Sequence, residues 1–227
     1  MRIVFIILIA IHGGIHLFGF LKAFEITEFS AINQSISKAS GVFWLLTFLL
    51  FVITTVLILI QSEYWWICGV LALITSQFLI INYWSDAKFG TIFNLIILLA
   101  TVLGYTNYNF KNTIKAEREM LFEHSKITKQ KIVQIDDISA LPPIIQKWLT
   151  YNGVIGKPRT SNVYLTQKLK LKLKPEQSEW NTGTAEQYFT VRPPAFNWNI
   201  DTKMASVLNI VGRDKFEDGK GKMLIKL

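Results

Sequence analysis

The sequence predicts a membrane α-helical bundle of four transmembrane helices, followed by an α+β domain with an antiparallel β-sheet that is incomplete at its C-terminal side. Three observations carry that reading. Four apolar runs occupy roughly residues 3–21, 42–60, 65–83 and 89–105, each near the ~20 residues that cross a ~30 Å hydrocarbon core as a helix. The charges divide the chain at the same place: residues 1–106 hold four basic side chains (Arg2, Lys22, Lys38, Lys88) and four acidic ones (Glu25, Glu28, Glu63, Asp86). The remainder holds twenty basic and twelve acidic groups, and with them the whole net charge of +8. Beyond residue 160 the apolar period shifts to two, the period of a strand. A chain with 51% hydrophobic residues and a mean hydropathy of +0.32 is also unusual for a soluble globular protein.

These observations give three segments: a four-helix transmembrane domain over 1–106, a polar helical linker over 107–134, and a helix plus antiparallel sheet over 135–227. In the first, the short connections "QSEY" (61–64) and "WSDAK" (84–88) force antiparallel neighbours. The 20 residues after the first run leave room for a surface loop or a short amphipathic helix. Tyr64, Trp65, Trp66, Tyr83 and Trp84 stand at span ends, where interfacial aromatics belong. A signal peptide is the competing reading of the first run, but no small-x-small cleavage site follows it. Arg2 with Lys111, Lys115 and Arg118 outnumber Lys22, Lys38 and Lys88 on the other side, and Lys126 adds to the bias. Both termini are therefore expected in the cytoplasm.

Residues 107–126 read as a polar helix with a partial apolar stripe (Phe110, Ile114, Leu121, Phe122). In "IDDISALPPIIQKWLTYNGVIGKP", Asp136 or Asp137 caps a turn, Pro143 suits the first turn of a helix running to about Tyr151, and Gly153 stands near its C-cap. Ile144, Ile145, Trp148 and Leu149 form a face spaced for packing on a sheet. In "VYLTQKLKLKLK", Val163, Leu165, Leu169, Leu171 and Leu173 share one strand face and Lys168, Lys170, Lys172 and Lys174 the other. Further strands are expected at 184–192, 196–204, 210–217 and 222–227, with Asp218–Gly219 a tight turn. The sequence stops in mid-strand, and a small open sheet leaves an apolar face and an edge uncovered. The expectation is a fragment, or a sheet completed by a partner.

The stretches "HGGIHLFGFLKAF" (12–24), "SDAKFGTIFNLIIL" (85–98), "LPPIIQKWLTYNGVIGKPR" (141–159), "TAEQYFTVRPPAFNW" (184–198) and "GRDKFEDGKGKMLIKL" (212–227) together resemble an uncharacterised bacterial membrane-protein family, a domain of unknown function. The resemblance implies an N-terminal four-helix membrane region, a soluble β-rich domain that continues past the equivalent of Leu227, and a bacterial inner-membrane location. That β-rich part is similar to curved sheets that hold lipids or lipoproteins in half-barrels, an analogy of fold that does not fix function.

Within the apolar runs the polar residues stand out. On a helical wheel His12 and His16 share a face with Gly19, while Ala10 and Gly14 form a small-xxx-small pair about 160° away. The first helix is thus expected to touch protein on both sides. Thirteen Ile, Val, Leu and Phe residues between 3 and 21 supply roughly −4 to −8 kcal/mol toward insertion, so two neutral imidazoles are tolerable. Antiparallel threading brings His12, His16, Asn82, Asp86 and Asn94 toward one half of the bilayer as a candidate polar pocket. The plain reading has the histidines bonded to Gln77, Asn94 or backbone, locking the bundle. A proton-relay, quinone or small-ligand pocket is the second. Metal or haem ligation by His12 and His16 comes last, because no further ligands are evident and His124 lies outside the spans.

No zinc-type spacing accompanies the single Cys68, and no phosphate-binding glycine loop, HExxH or nucleophile elbow is present. The lysines of 168–174 alternate with apolar residues and read as a solvated sheet face, so no nucleic acid is expected. The sequence specifies neither a cofactor nor an oligomeric state. The favoured reading is a non-enzymatic membrane protein whose β domain binds a lipidic or hydrophobic ligand, or a partner, near the bilayer. The alternative is a redox, proton-relay or transport component built on the His12/His16 pocket. A tethered enzyme with catalytic groups beyond Leu227 is the third.

Overall fold

The structure is a computed structural model that describes residues 2–27, 32–125, 131–172, 174–204 and 208–226. Glu28 of the charge count, Lys126 of the orientation count, and Leu173 and Leu227 of the strands lie outside the described residues. Two compact units divide the chain, Met1–Asn112 and Thr113–Leu227.

The first unit is built from α1 (Arg2–Ala23), α2 (Lys38–Leu59), α3 (Trp65–Asn82), the single turn α4 (Trp84–Ala87) and the beginning of α5 (Gly90–Glu123). Four of these helices are long and apolar enough to cross a membrane, by length and composition. Only 17–33% of each apolar window is buried inside the protein, so the greater part of every helix presents Ile, Leu, Val or Phe outward. In water that surface would cost far more than any monomer tolerates. α5 runs on past the predicted end of the fourth span at 105, because residues 107–123 contain no glycine or proline to stop it.

Ser37 caps α2, its hydroxyl accepting from the Ser40 N–H at 3.1 Å, and at the other end Arg2 donates to the last-turn carbonyls of Ile58 (2.6 Å) and Leu59 (2.8 Å). The buried stripe of α1 is Ile9, His12, Gly13, His16, Gly19 and Ala23, the three-and-four spacing of one helix face. Gly13 receives Phe51 and Gly19 receives the Trp44 indole, while Ala23 meets Gly41 of α2. The contact face of α1 is therefore the histidine face. Ala10 is exposed and a Cβ on Gly14 would meet nothing within 4 Å, so the expected second contact face is absent among the described residues. Buried Thr47, Thr54 and Thr101 each bond a carbonyl one turn back, as hydroxyls without other partners do in an apolar bundle.

In the second unit a 3-10 turn (Ile135–Ile138) precedes α6 (Pro143–Tyr151), and Gly153 adopts φ +63° just past its end. Five strands follow: β1 (Asn162–Leu171), β2 (Asn181–Thr190), β3 (Ala195–Met204), β4 (Leu208–Glu217) and β5 (Lys220–Lys226). They pair antiparallel in sequence order as an open meander. Asp218 and Gly219, both with positive φ (51° and 74°), make the tight turn between the last two.

Strand register sorts the side chains onto two unlike faces. One carries Leu165, Leu169, Phe189, Phe196, Trp198, Ile200, Phe216 and Ile225. The other carries Tyr188, Glu186, Asn197, Asn199, Arg213 and Lys215, so it is polar and mixed in charge rather than simply basic. It is this second face that the end of α5 covers: Leu121 packs with Tyr188 and Ala195, and Phe122 meets the Tyr188 ring edge-on at 5.5 Å. α6 does not pack as expected, since Ile144, Ile145 and Trp148 are exposed. The helix that covers the sheet is the end of α5.

Beneath that helix Glu117 lies 3.0 Å from Arg213 Nε as an ion pair without hydrogen-bond geometry, 3.1 Å from Lys215 Nζ, and accepts from Asn197 Nδ2 at 3.1 Å. Arg213 is only 3% exposed, so Glu117 is what makes its burial tolerable. Glu117→Ala is expected to cost about 3–5 kcal/mol of second-unit stability, read as denaturant unfolding by near-UV circular dichroism. In the bundle, Gly13→Ala would bring a Cβ to 2.6 Å from Phe51 Cβ and is expected to cost about 1–3 kcal/mol in detergent melts, whereas Gly14→Ala is expected to be neutral or stabilising.

Candidate functional site

The polar residues of the first unit converge where α1 ends, α2 begins, α3 ends and α5 begins. His12 and His16, one turn apart, are 3% and 2% exposed. His16 Nδ1 lies 3.0 Å from the His12 carbonyl oxygen, so it carries the proton and donates, leaving Nε2 as an acceptor. The Ser76 hydroxyl, with one proton, lies 3.0 Å from that nitrogen and 3.1 Å from Asn94 Oδ1, and can serve only one of them at a time. His12 Nε2 faces Asn94 Oδ1 at 2.9 Å and therefore donates as well. From Asn94 the chain continues through Nδ2 to Gln77 Oε1 (3.1 Å) and from Gln77 Nε2 to Thr91 Oγ1 (3.4 Å). The Asn94 amide orientation assigns the His12 tautomer, and the backbone carbonyl assigns the proton on His16 Nδ1.

Aromatic rings enclose the pair. Phe93 stacks on His12 (5.5 Å, 21°), Phe51 lies edge-on to it at 5.2 Å, and Trp44 lies 5.3 Å from His16. Beside them is a cavity of ≈260 Å3 lined by His12, His16, Trp44, Tyr83, Asp86 and Phe93 together with apolar neighbours. A Cβ on Gly90 would come 2.9 Å from Ile80 Cδ1 and 3.5 Å from His12 Cε1, so the absence of a side chain there opens space at the imidazole.

Of the five residues singled out in the sequence, His12, His16 and Asn94 share one buried network. Asp86 lines the same cavity but does not bond them. Its carboxylate accepts from the backbone N–H groups of Asn33 and Gln34 (both 2.9 Å) and from Asn33 Nδ2 (3.3 Å). The Gln34 N–H, then the Asn33 groups and the nearby Lys22 charge, hold this carboxyl below the usual carboxylate range against the opposing effect of desolvation. Asn82 is exposed and bonds its own helix at the Phe78 carbonyl, away from the cluster. Ser76 and Trp44 were missed: a serine and a tryptophan in apolar runs carry no signal until the helices are paired. Among the described residues no group of three or more His, Cys, Asp or Glu side chains could hold a metal ion.

The second unit offers a different surface. The large side chains of the apolar sheet face are half-buried or exposed, Met223 at 65% and Ile225 at 63%. Its ring contacts stay inside the sheet, Phe189 to Phe196 (6.2 Å) and Phe196 to Phe216 (6.3 Å), and Trp198 Nε1 donates to Gln167 across two strands at 2.8 Å. Gly183 and Gly212 lie on this face, where a Cβ would come 3.0–3.1 Å from Thr202 or Ile200. The missing side chains let neighbouring strands crowd together there.

With both sites in hand, comparison with known proteins adds one match. Residues 139–227, which take in α6 and all five strands, are similar to a family of unknown function (DUF6920). No curated protein and no solved structure matches the chain.

Because its folded pKa is depressed, Asp86 holds residues 33–34 at every pH above the ordinary carboxylate pKa of about 4, and the contact is lost only as pH falls through the lower folded value. Amide exchange at Asn33 and Gln34, corrected for intrinsic rates, is expected to be unchanged between pH 5 and 8 and to accelerate in Asp86→Ala.

Proposed function

We propose that this is an integral membrane protein whose second unit binds a lipidic or hydrophobic ligand on the apolar face of its sheet, without catalysing a reaction. The observation that supports the reading is the inversion of the sheet. Its polar, ion-paired face is the one a helix covers, and its face of Leu165, Phe196, Trp198, Phe216 and Ile225 keeps no fully buried large side chain. Complete withdrawal of such a side chain from water is worth about 1.5–3 kcal/mol, and an apolar ligand lying across several half-buried ones gains the part that remains in each. The four apolar helices tether this surface to a bilayer that would supply the ligand. The balance of lysine and arginine supports both termini on the cytoplasmic side, and the resemblance noted in the sequence supports a bacterial inner membrane.

A redox, proton-relay or transport role is the second reading, favoured by the unbroken hydrogen-bond chain from His16 through Ser76 and from His12 through Asn94 and Gln77 to Thr91.

The first reading is tested by purifying the full chain in mild detergent and quantifying co-purified lipid by mass spectrometry. Phe216→Asp and Ile225→Asp are expected to lower bound lipid several-fold, while Thr184→Asp on the opposite face leaves it unchanged. Equal lipid in all four proteins would remove the sheet as the binding surface.

A further inference from the structure

The cavity beside His12 leaves two buried polar atoms without partners, and they are complementary. With its Nε2 proton donated to Asn94, the neutral His12 ring has a bare acceptor at Nδ1, and that atom has no hydrogen-bond partner. Trp44, 5% exposed and on the same cavity wall, has an Nε1–H donor that is likewise unpaired. Unpaired buried groups each cost about 1–3 kcal/mol, and two of opposite character on one cavity describe a missing ligand with both a donor and an acceptor. A hydroxyl is the smallest group that is both.

The remaining walls define the rest of the molecule. Phe93 and Phe89 with Tyr83 make them aromatic, and ≈260 Å3 falls just short of the ~300 Å3 at which drug-sized pockets begin, so a single substituted ring fits. Asp86, the one acidic group on the lining, already accepts three N–H bonds, so its oxygens are committed to Asn33 and Gln34. Ile15, Phe18 and Phe89 also line the cavity and are themselves exposed on the apolar exterior of the bundle, which gives an apolar tail its way out.

We propose that this cavity binds a hydroxylated aromatic head group bearing an apolar tail, the quinol class, with the ligand hydroxyl donating to His12 Nδ1 and a ligand oxygen accepting from Trp44 Nε1–H. The site is separate from the sheet surface, and either can fail without the other. It discriminates by protonation state: a quinone accepts from Trp44 but has no proton to give His12.

Anaerobic calorimetry on the full chain in nanodiscs, titrated with a short-tailed benzoquinol and then with its quinone, tests this. The quinol is expected to bind at least ten-fold more tightly. His12→Phe should abolish that preference, and Trp44→Phe, which keeps an aromatic ring beside Gly19 and removes the N–H, should weaken both ligands at least three-fold with the preference intact. Absence of binding, equal affinity for the two ligands in the wild-type protein, or a preference that survives His12→Phe would overturn the proposal.

Discussion

Burying two imidazoles in an apolar bundle imposes a condition on the helices around them. Every polar atom carried into an apolar interior must find a partner there, because hydrocarbon offers none. His16 meets the condition with a carbonyl of its own helix and a serine of α3; His12 meets it at Nε2 with an asparagine of α5 and leaves Nδ1 open. These bonds fix the rotation of three helices about their axes. The apolar contacts cannot do so, since a Leu or Ile face is as content against an acyl chain as against another helix. The glycines complete the arrangement: Gly13 and Gly19 let Phe51 and Trp44 of α2 approach the backbone of α1 on either side of His16, and those same rings wall the histidines.

The second unit obeys the opposite logic. Its best-defined packing lies on a polar face, where one carboxylate, Glu117, serves Arg213, Lys215 and Asn197 at once. Removing a charge from water is costly, and the pairing offsets that cost without exceeding it by much. What the arrangement secures is position, since a helix held by directional ion pairs has one seat on the sheet. Arg118 adds to this by donating to the Tyr188 hydroxyl at 3.0 Å while lying over its ring. Tyr188 in turn stacks on Tyr164, whose hydroxyl is pushed up to about 12 by desolvation and by its bonds to Glu186 and Tyr188. The hydrophobic face, which in most small domains carries the core, is left as the surface with most to gain from a ligand.

Much of this was legible in the residues. Span number, the strands from residue 160 onward and the Asp218–Gly219 turn follow from period and turn chemistry, which are local. The grouping of His12, His16 and Asn94 was legible too, because antiparallel threading of short-looped helices fixes depth. Depth is not azimuth, however. Asn82 has the right depth and points away, and Asp86 is nearer but committed to Asn33 and Gln34, segments of chain whose path no periodicity encodes. The same limitation explains α6: its apolar face has helical spacing, but which helix takes the sheet depends on the charges of Glu117 and Arg213, residues 96 apart in sequence.

A cavity floored by neutral histidines differs from one floored by charge. Charged groups recruit ions or water and make a pathway, whereas neutral donors and acceptors held in fixed tautomers select shape and hydrogen-bond polarity. In the first unit the tautomers are set by partners outside the cavity, a backbone carbonyl for His16 and an amide oxygen for His12. A ligand therefore meets an acceptor at His12 and a donor at Trp44 whose roles were assigned before it arrived. Asn94 is the residue on which that polarity turns: an acceptor at its Oδ1 keeps the proton on His12 Nε2, and its own amide is oriented by Gln77. Reversing that amide would place a donor against Nε2, drive the proton to Nδ1, and convert the cavity from one that reads a hydroxyl proton to one that reads a carbonyl.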